Sequence, residues 1–305
     1  MIDHPMTRRE AVRAIALGTP ATLGAFSSLP GGGLLAAPPW PDLAVVHGAD
    51  VRAATLAAMA ALGGMTRFVS RGDVVFVKPN IGFPRVPAQA ATTHPAVVAA
   101  VVEACFASGA AIVKVGDHTL DDPERCYRRS GIQAAAEAVG ARVEIVDGSK
   151  FRRMAVKGEA VSEWEVYVDV VEADTLINVP VAKHHSLSRM SGAMKNWFGA
   201  IGGERAALHA RIDAAVVDLT SFFRAKLTVL DATRVLVRNG PEGGSPDDAL
   251  PLDIVAAGTD QVAIDAFAAT LLSLSPVRIP FIRMAAARGL GRLDLDRLRV
   301  DRREL

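Results

Sequence analysis

The chain has almost no cysteine: Cys105 and Cys126 are the only two among 305 residues. A usual iron–sulfur cluster takes four thiolates, so this chain cannot build one alone, and that class of electron carrier is excluded. The familiar zinc spacings C-x-x-C and H-x-x-x-H are absent. So is G-x-G-x-x-G, the glycine fingerprint of dinucleotide-binding dehydrogenases. Net charge is scarce too: 34 basic and 33 acidic residues leave +1. No global field therefore draws the protein to nucleic acid or anionic lipid, and any anion preference must be local. Beyond the N-terminal region no stretch approaches the ~20 apolar residues of a spanning helix, so no stable membrane span is expected.

What is present suits a globular core, with half the residues apolar and 22% charged. From Leu43 onward, short β-branched runs such as D-V-V-F-V-K-P-N and A-I-V-K-V-G-D alternate with Ala-rich helical patterns. That alternation, with nearly continuous apolar strands, predicts an α/β fold: a mostly parallel sheet with helices on both faces. One domain over residues 38–305 is expected, with N-G-P-E-G-G-S-P-D-D, Asn239 to Asp248, as a surface loop. The Arg/Asp-rich tail reads as a peripheral helix. Cys105, inside A-V-V-A-A-V-V-E-A-C-F, reads as a packed small hydrophobe. Cys126, after the acidic turn D-D-P-E-R, reads as open to exposure, and a pairing of the two cysteines is left open by the sequence.

The front end has a different character. Arg8 and Arg9 precede a mildly apolar run, and small residues follow near Ala36 and Ala37. That order matches an export leader over residues 1–37, and the paired arginines give it a twin-arginine form. The expected location is periplasmic or otherwise extracytoplasmic, with the export machinery as a partner; a cytoplasmic chain with a surface tail is the alternative.

In open parallel sheets, ligands bind outside the carboxyl ends of strands. Here those ends are polar. One run ends in Lys78, Pro79 and Asn80, another in Asp117 and His118, a third in Lys183, His184 and His185, and L-T-V-L in Asp231. Asp117 and Asn80 read equally as turn-tightening residues, and His94 before Pro95 as the start of a helix. The third run continues as S-L-S-R-M-S-G-A-M-K-N-W-F-G, where Ser191 and Gly192 are expected to start a short helix whose backbone N–H groups, with Lys195, suit a phosphate or carboxylate. His184 and His185 are adjacent, so on an extended strand they point oppositely, and one at most faces the site. Lys195 reads as a charge clamp or, if desolvated by Met194, Trp197 and Phe198, as a nucleophilic amine. Downstream, Gly202 and Gly203 precede His209 and Arg211, a segment with the make-up of a lid or of a plain helix connection.

The words V-F-V-K-P-N, T-T-H-P-A-V-V, V-G-D, S-G-I, L-I-N-V-P-V-A-K-H-H and S-G-A-M-K-N-W-F-G, in that order, resemble the bacterial and archaeal domain of unknown function 362 family. The resemblance runs from Val74 to Leu274 and implies an α/β fold without an assigned chemistry. Many relatives carry a ferredoxin-like cysteine module that this chain lacks. The pattern H-x5-S-G-x2-K, His185 to Lys195, is also similar to the segment of nickel-dependent lactate racemases that holds their pincer nucleotide. That likeness implies an attachment or anion-binding role for Lys195 and an acid/base or metal-side role for His185.

The resulting expectation is an extracytoplasmic enzyme that binds a small anion or nucleotide-like cofactor and transfers a proton or hydride, with or without a divalent metal. His185, Lys195 and Asp117 would be catalytic. Lys78, Asn80, Lys183, Ser191, Gly192, Asn196 and His209 would hold the cofactor, and His184, His185 and Asp231 the metal. The alternative is a non-catalytic extracytoplasmic protein that captures a metal or anion.

Overall fold

The computed structural model describes residues 40–305 apart from residue 147, together with the isolated positions Glu10, Ala14 and Gly18. The leader read over residues 1–37 otherwise lies outside the described residues. The strands are β1 (Leu43–His47), β2 (Val74–Pro79), β3 (Ile112–Asp117), β4 (Arg142–Ile145), β5 (Phe151–Ala155), β6 (Glu163–Tyr167), β7 (Thr175–Val179), β8 (Val181–His185), β9 (Arg189–Ser191), β10 (Leu227–Leu236), β11 (Ala249–Gly258) and β12 (Val300–Glu304). The main sheet runs in the order β12-β1-β11-β10-β7-β2-β3-β4, with β8 branching from β10 and β9 from β8. From β10 through β7, β2 and β3 to β4 every pairing is parallel. Antiparallel pairing joins β10 to β11, β11 to β1 and β8 to β9.

Side chains alternate across the sheet, and each face has its own core. Val75 and Val77 of β2 point into one core and Phe76 into the other; Val229 and Leu230 of β10 divide the same way. The first core is closed by α1 (Val51–Ala61), α2 (Pro95–Ala107), α3 (Pro123–Ser130) and α4 (Ile132–Ala138), through Ala58, Val98, Tyr127 and Ile132 among others. The second is closed by α5 (Val168–Glu172), α6 (Ile212–Phe222), α7 (Gln261–Leu271) and α8 (Pro280–Ala287), through Val170, Val216, Phe267 and Phe281. Helices thus cover both faces of a mostly parallel sheet, as the strand–helix alternation predicts. No helix among the described residues is long and apolar enough to cross a membrane.

Four readings are corrected. β10 does not end at Asp231 but continues to Leu236, held by β11 and, after a register shift, by β8. The charged tail forms β12, an edge strand parallel to β1, rather than a helix; an edge tolerates alternating charges because one side of the ladder faces solvent. Ser191 closes β9, and the helical turn starts later, as a 3-10 segment over Lys195–Ala200. Cys126 is buried, as is Cys105, and both are free thiols. Burial pushes the Cys105 thiol up to about 12 and that of Cys126 up to about 11, so neither is a nucleophile near neutral pH.

Candidate active site

Three parallel strand ends supply the base of the site. Lys78, at the end of β2, is wholly buried, and its Nζ lies 2.5 Å from Asp117 Oδ1 at the end of β3. It also donates to the Pro79 carbonyl at 2.8 Å and to Asn196 Oδ1 at 3.1 Å. The other Asp117 oxygen accepts the Ile81 N–H at 2.5 Å. Gly199 covers this pair: a methyl group there would overlap Asp117 Oδ1, so only glycine fits. Asn196 ties the layer together. Its amide donates to the carbonyl of Lys78 at 3.1 Å and to Asn178 Oδ1 at 2.8 Å, and its oxygen also accepts from Asn80 at 3.1 Å. Such a filled network fixes its members in one arrangement, since any unmade bond here leaves a buried polar atom alone.

Above this base, β8 and β9 form a hairpin in which Lys183 faces Ser191 and His185 faces Arg189. The chain then turns at Gly192 toward Lys195. Asp265, in the middle of α7, holds that turn by accepting the Ala193 N–H at 2.5 Å and the Met194 N–H at 3.0 Å. Gly192 lacks a side chain because a Cβ would run into the Asp265 carboxylate. Burial drives Asp265 up to about 7, against the pull of its two backbone donors.

The hollow enclosed between these parts measures about 250 Å³. Lys195 is 8% exposed, with its Nζ 3.3 Å from the centre of the Phe198 ring and no hydrogen-bond acceptor among the described residues. Burial first, then the nearby cations Lys183, Arg205 and Lys78, depress its amine to about 7. Lys183 is depressed to about 7 by burial above all; it donates to Asn80 Oδ1 at 3.0 Å and to the Ala91 carbonyl at 2.6 Å, beside the Phe83 ring. His185 accepts the Leu187 N–H on Nδ1 at 3.1 Å, which leaves its ring proton on Nε2. Burial, followed by Lys195 and Lys183, lowers its pKa to about 3, so the ring is neutral at physiological pH. His209 stacks on Phe198 with centroids 6.3 Å apart and is lowered by burial and by Lys195. Arg205 is pinned by the carbonyls of His118 at 2.8 Å and Thr119 at 2.5 Å.

Of the expected residues, Asn80, Asp117, Lys183 and His185 line the hollow from the strand ends. Ser191 lines it from the end of β9, and Lys195, Asn196 and His209 from the 3-10 turns. Lys78 lies one layer below, bonded to Asp117, and Gly192 lies behind, against Asp265. His184 and Asp231 are elsewhere, so the metal set His184, His185 and Asp231 is not assembled. His185 lines the hollow and His184 does not: the Nδ1 of His184 accepts the Gly240 N–H at 3.1 Å. Asp231 sits mid-strand, where it accepts from the His94 N–H at 2.7 Å and from Thr233, and so docks the start of α2. No three His, Cys, Asp or Glu side chains gather to hold a metal among the described residues. The ammonium and guanidinium groups of the hollow repel a bare cation as well. The charged side chains lining the hollow are Lys183, Lys195 and Arg205, with Asp117 paired to Lys78.

Arg205 and Phe83 line the hollow and escaped sequence reasoning; His118, read as a strand end, and Phe198, read as desolvating Lys195, line it too, whereas Arg211 pairs with Glu159 at the surface. Arg205 lies two residues after the Gly202–Gly203 pair, and that proximity was the available signal. Asp265 was missed too; a lone acid inside the apolar run Q-V-A-I-D-A-F-A-A was its signature.

A thylakoid-associated protein of Synechocystis sp. (strain ATCC 27184 / PCC 6803 / Kazusa) is 28% identical over 238 residues, covering 75% of this chain and 72% of its own. Two solved structures are similar in part: the lactate racemase apoprotein from Thermoanaerobacterium thermosaccharolyticum (12% identity, TM-score 0.41) and a protein from Thermotoga maritima (10%, 0.39). They cover 71% and 78% of this chain, which spans only 54% and 58% of their lengths. The domain of unknown function 362 matches residues 75–270, which include the strand ends, the hairpin and the Asp265 buttress, and the chain belongs to that family.

Proposed function

We propose that the hollow binds a small anion, a carboxylate or phosphate ester with an apolar body, and that the chain is an enzyme that moves a proton on it. One observation carries the reading: the Lys195 amine opens into the hollow with cations for charged neighbours and no carboxylate to neutralise it. A buried amine left in that setting gains most from an anion delivered by a ligand. Lys183 and Arg205 supply further positive charge, and Phe83, Phe198 and Leu120 supply an apolar wall. The half-neutral amine suits proton exchange near pH 7, and the His185 Nε2–H donates to an oxygen on which charge builds. A nucleotide-derived cofactor would meet the same groups through its phosphate, with Lys195 and Lys183 as its anchors.

Equilibrium dialysis with inorganic phosphate and with benzoate tests the reading. The native chain is expected to retain at least one of them, and Lys195→Ala and His185→Ala to weaken retention by about ten-fold or more, the worth of one charge-assisted bond. Equal retention by all three proteins would dispose of the site. Turnover of a bound anion by the native chain separates an enzyme from a protein that only captures.

We also propose that the protein works outside the cytoplasm, on the ground that Arg8 and Arg9 precede a mildly apolar run like that of an export leader. The Arg8→Lys, Arg9→Lys double variant is expected to stay in the cytoplasmic fraction while the native chain leaves it. An unchanged distribution would remove the export reading and leave the site untouched.

A further inference from the structure

We infer that Lys195 is a nucleophile that captures the carbonyl carbon of a small aldehyde or ketone carrying a carboxylate or phosphate, and holds it as an imine. This rests on the reading of the hollow as an anion site and gives that site its substrate class. An amine attacks only through a free lone pair, and most protein lysines lack one because they are solvated ammonium ions. Lys195 is withdrawn from water on the Phe198 face and makes no hydrogen bond among the described residues, yet its Nζ opens into the hollow. The Asp265 carboxylate fixes the preceding turn by two backbone bonds, so the amine is presented from a rigid base.

The groups facing Lys195 complete the chemistry. Lys183 and His185 approach from β8, Arg205 and His209 from the 205–211 turn, and Lys78, paired with Asp117, from below. Burial first, and then the positive neighbours, leave much of the amine deprotonated near pH 7; the same neighbours attract the acid group of the substrate, which sets the carbonyl beside Nζ. Attack forms the C–N bond while the carbonyl π pair moves to oxygen, which the His185 Nε2–H meets as a donor. The nitrogen then gives up its two protons to that oxygen, the C–O bond breaks, and water leaves. Amine and carbonyl become imine and water, with no change of oxidation state and no further reactant.

The test is reductive trapping. The full chain is incubated with pyruvate or with dihydroxyacetone phosphate, then with sodium cyanoborohydride, and adducts are mapped by peptide mass spectrometry. Exposed Lys157 serves as an internal reference, so the outcome does not depend on a variant that folds. At pH 7 an amine depressed to about 7 is roughly half neutral, whereas an ordinary lysine is neutral about once in 3,000. Labelling of Lys195 at least about a hundred-fold faster than Lys157, rising with pH through 7 and then levelling, is the expected result. Lys195→Arg should lose the adduct, and excess inorganic phosphate should slow it. Equal labelling of the two lysines, or no adduct with either compound while phosphate is still retained, would overturn the imine and leave the anion site standing. Failure of both trapping and anion retention would remove both.

Discussion

Lys195→Met is expected to be more stable than the native chain at pH 7 and below, although it no longer retains an anion. The folded-state amine is depressed from its ordinary 10.5 to about 7, chiefly by burial. Between those values the unfolded chain binds more protons than the folded one, so stability rises with pH across that window. Below about 7 the amine is charged in both states and the cost of burying it stands in full; toward 10.5 the cost has gone. The interval corresponds to roughly 5 kcal/mol, reduced to about 2–3 kcal/mol once water in the hollow screens the charge and the lost Phe198 contact is counted. Methionine fills the same space without a charge, so urea midpoints should differ most near pH 6 and converge as pH rises toward 10. A variant less stable than the native chain, or a gain that ignores pH, would contradict the burial of an uncompensated ammonium. His185 adds to the acid side. Its ring stays neutral down to about 3, while the unfolded ring takes a proton near 6.5, so stability falls as pH drops through that range. On the proposed reading, a bound anion would offset this cost.

The legible part of this design was the part written along single strands. V-F-V-K-P-N, I-V-K-V-G-D and V-A-K-H-H each announce a buried strand that stops in polar residues, and the parallel sheet delivers Asn80, Asp117, Lys183 and His185 to one hollow. The period-two rule also separates His185 from His184 without coordinates. What was not legible depends on pairing between distant segments. Asp231 follows the run L-T-V-L and so looks like a strand end, but β11 carries β10 on to Leu236 through a register shift after Ala232. Whether an acid in an apolar stretch ends a strand or caps a neighbour's helix is decided by what lies across from it, here the His94 N–H. Arg205 and Arg211 are alike in sequence. The 3-10 turn over Arg205–Arg211 turns the first toward the carbonyls of His118 and Thr119, and the second toward Glu159. Asp265 lies some seventy residues from the loop it holds, a distance over which no local pattern carries information.

Lys78→Met is expected to be the most damaging single change in the site, with a loss of about 3–5 kcal/mol, since it strands a buried carboxylate. Asp117 is 2% exposed and would keep only the Ile81 N–H on Oδ2, while Oδ1 would lose the ammonium 2.5 Å away. It cannot swing out to water, because Gly199 lies directly over Oδ1. The same substitution removes the donor to Asn196 Oδ1, so Asn80 and the base of the hollow loosen together and anion retention falls as well. Asp117→Asn on its own removes the carboxylate charge but leaves Lys78 an uncompensated buried cation, at a comparable cost. The double variant Lys78→Met, Asp117→Asn buries no charge and should recover about 2 kcal/mol relative to Lys78→Met, which with the cost of Asp117→Asn alone is a coupling of about 5–7 kcal/mol in a urea double-mutant cycle. Coupling of that size would assign the pair to holding β2, β3 and the Asn196 loop in register. Additive losses would instead mean that each side chain acts alone, and that the hollow owes its shape to the backbone around it.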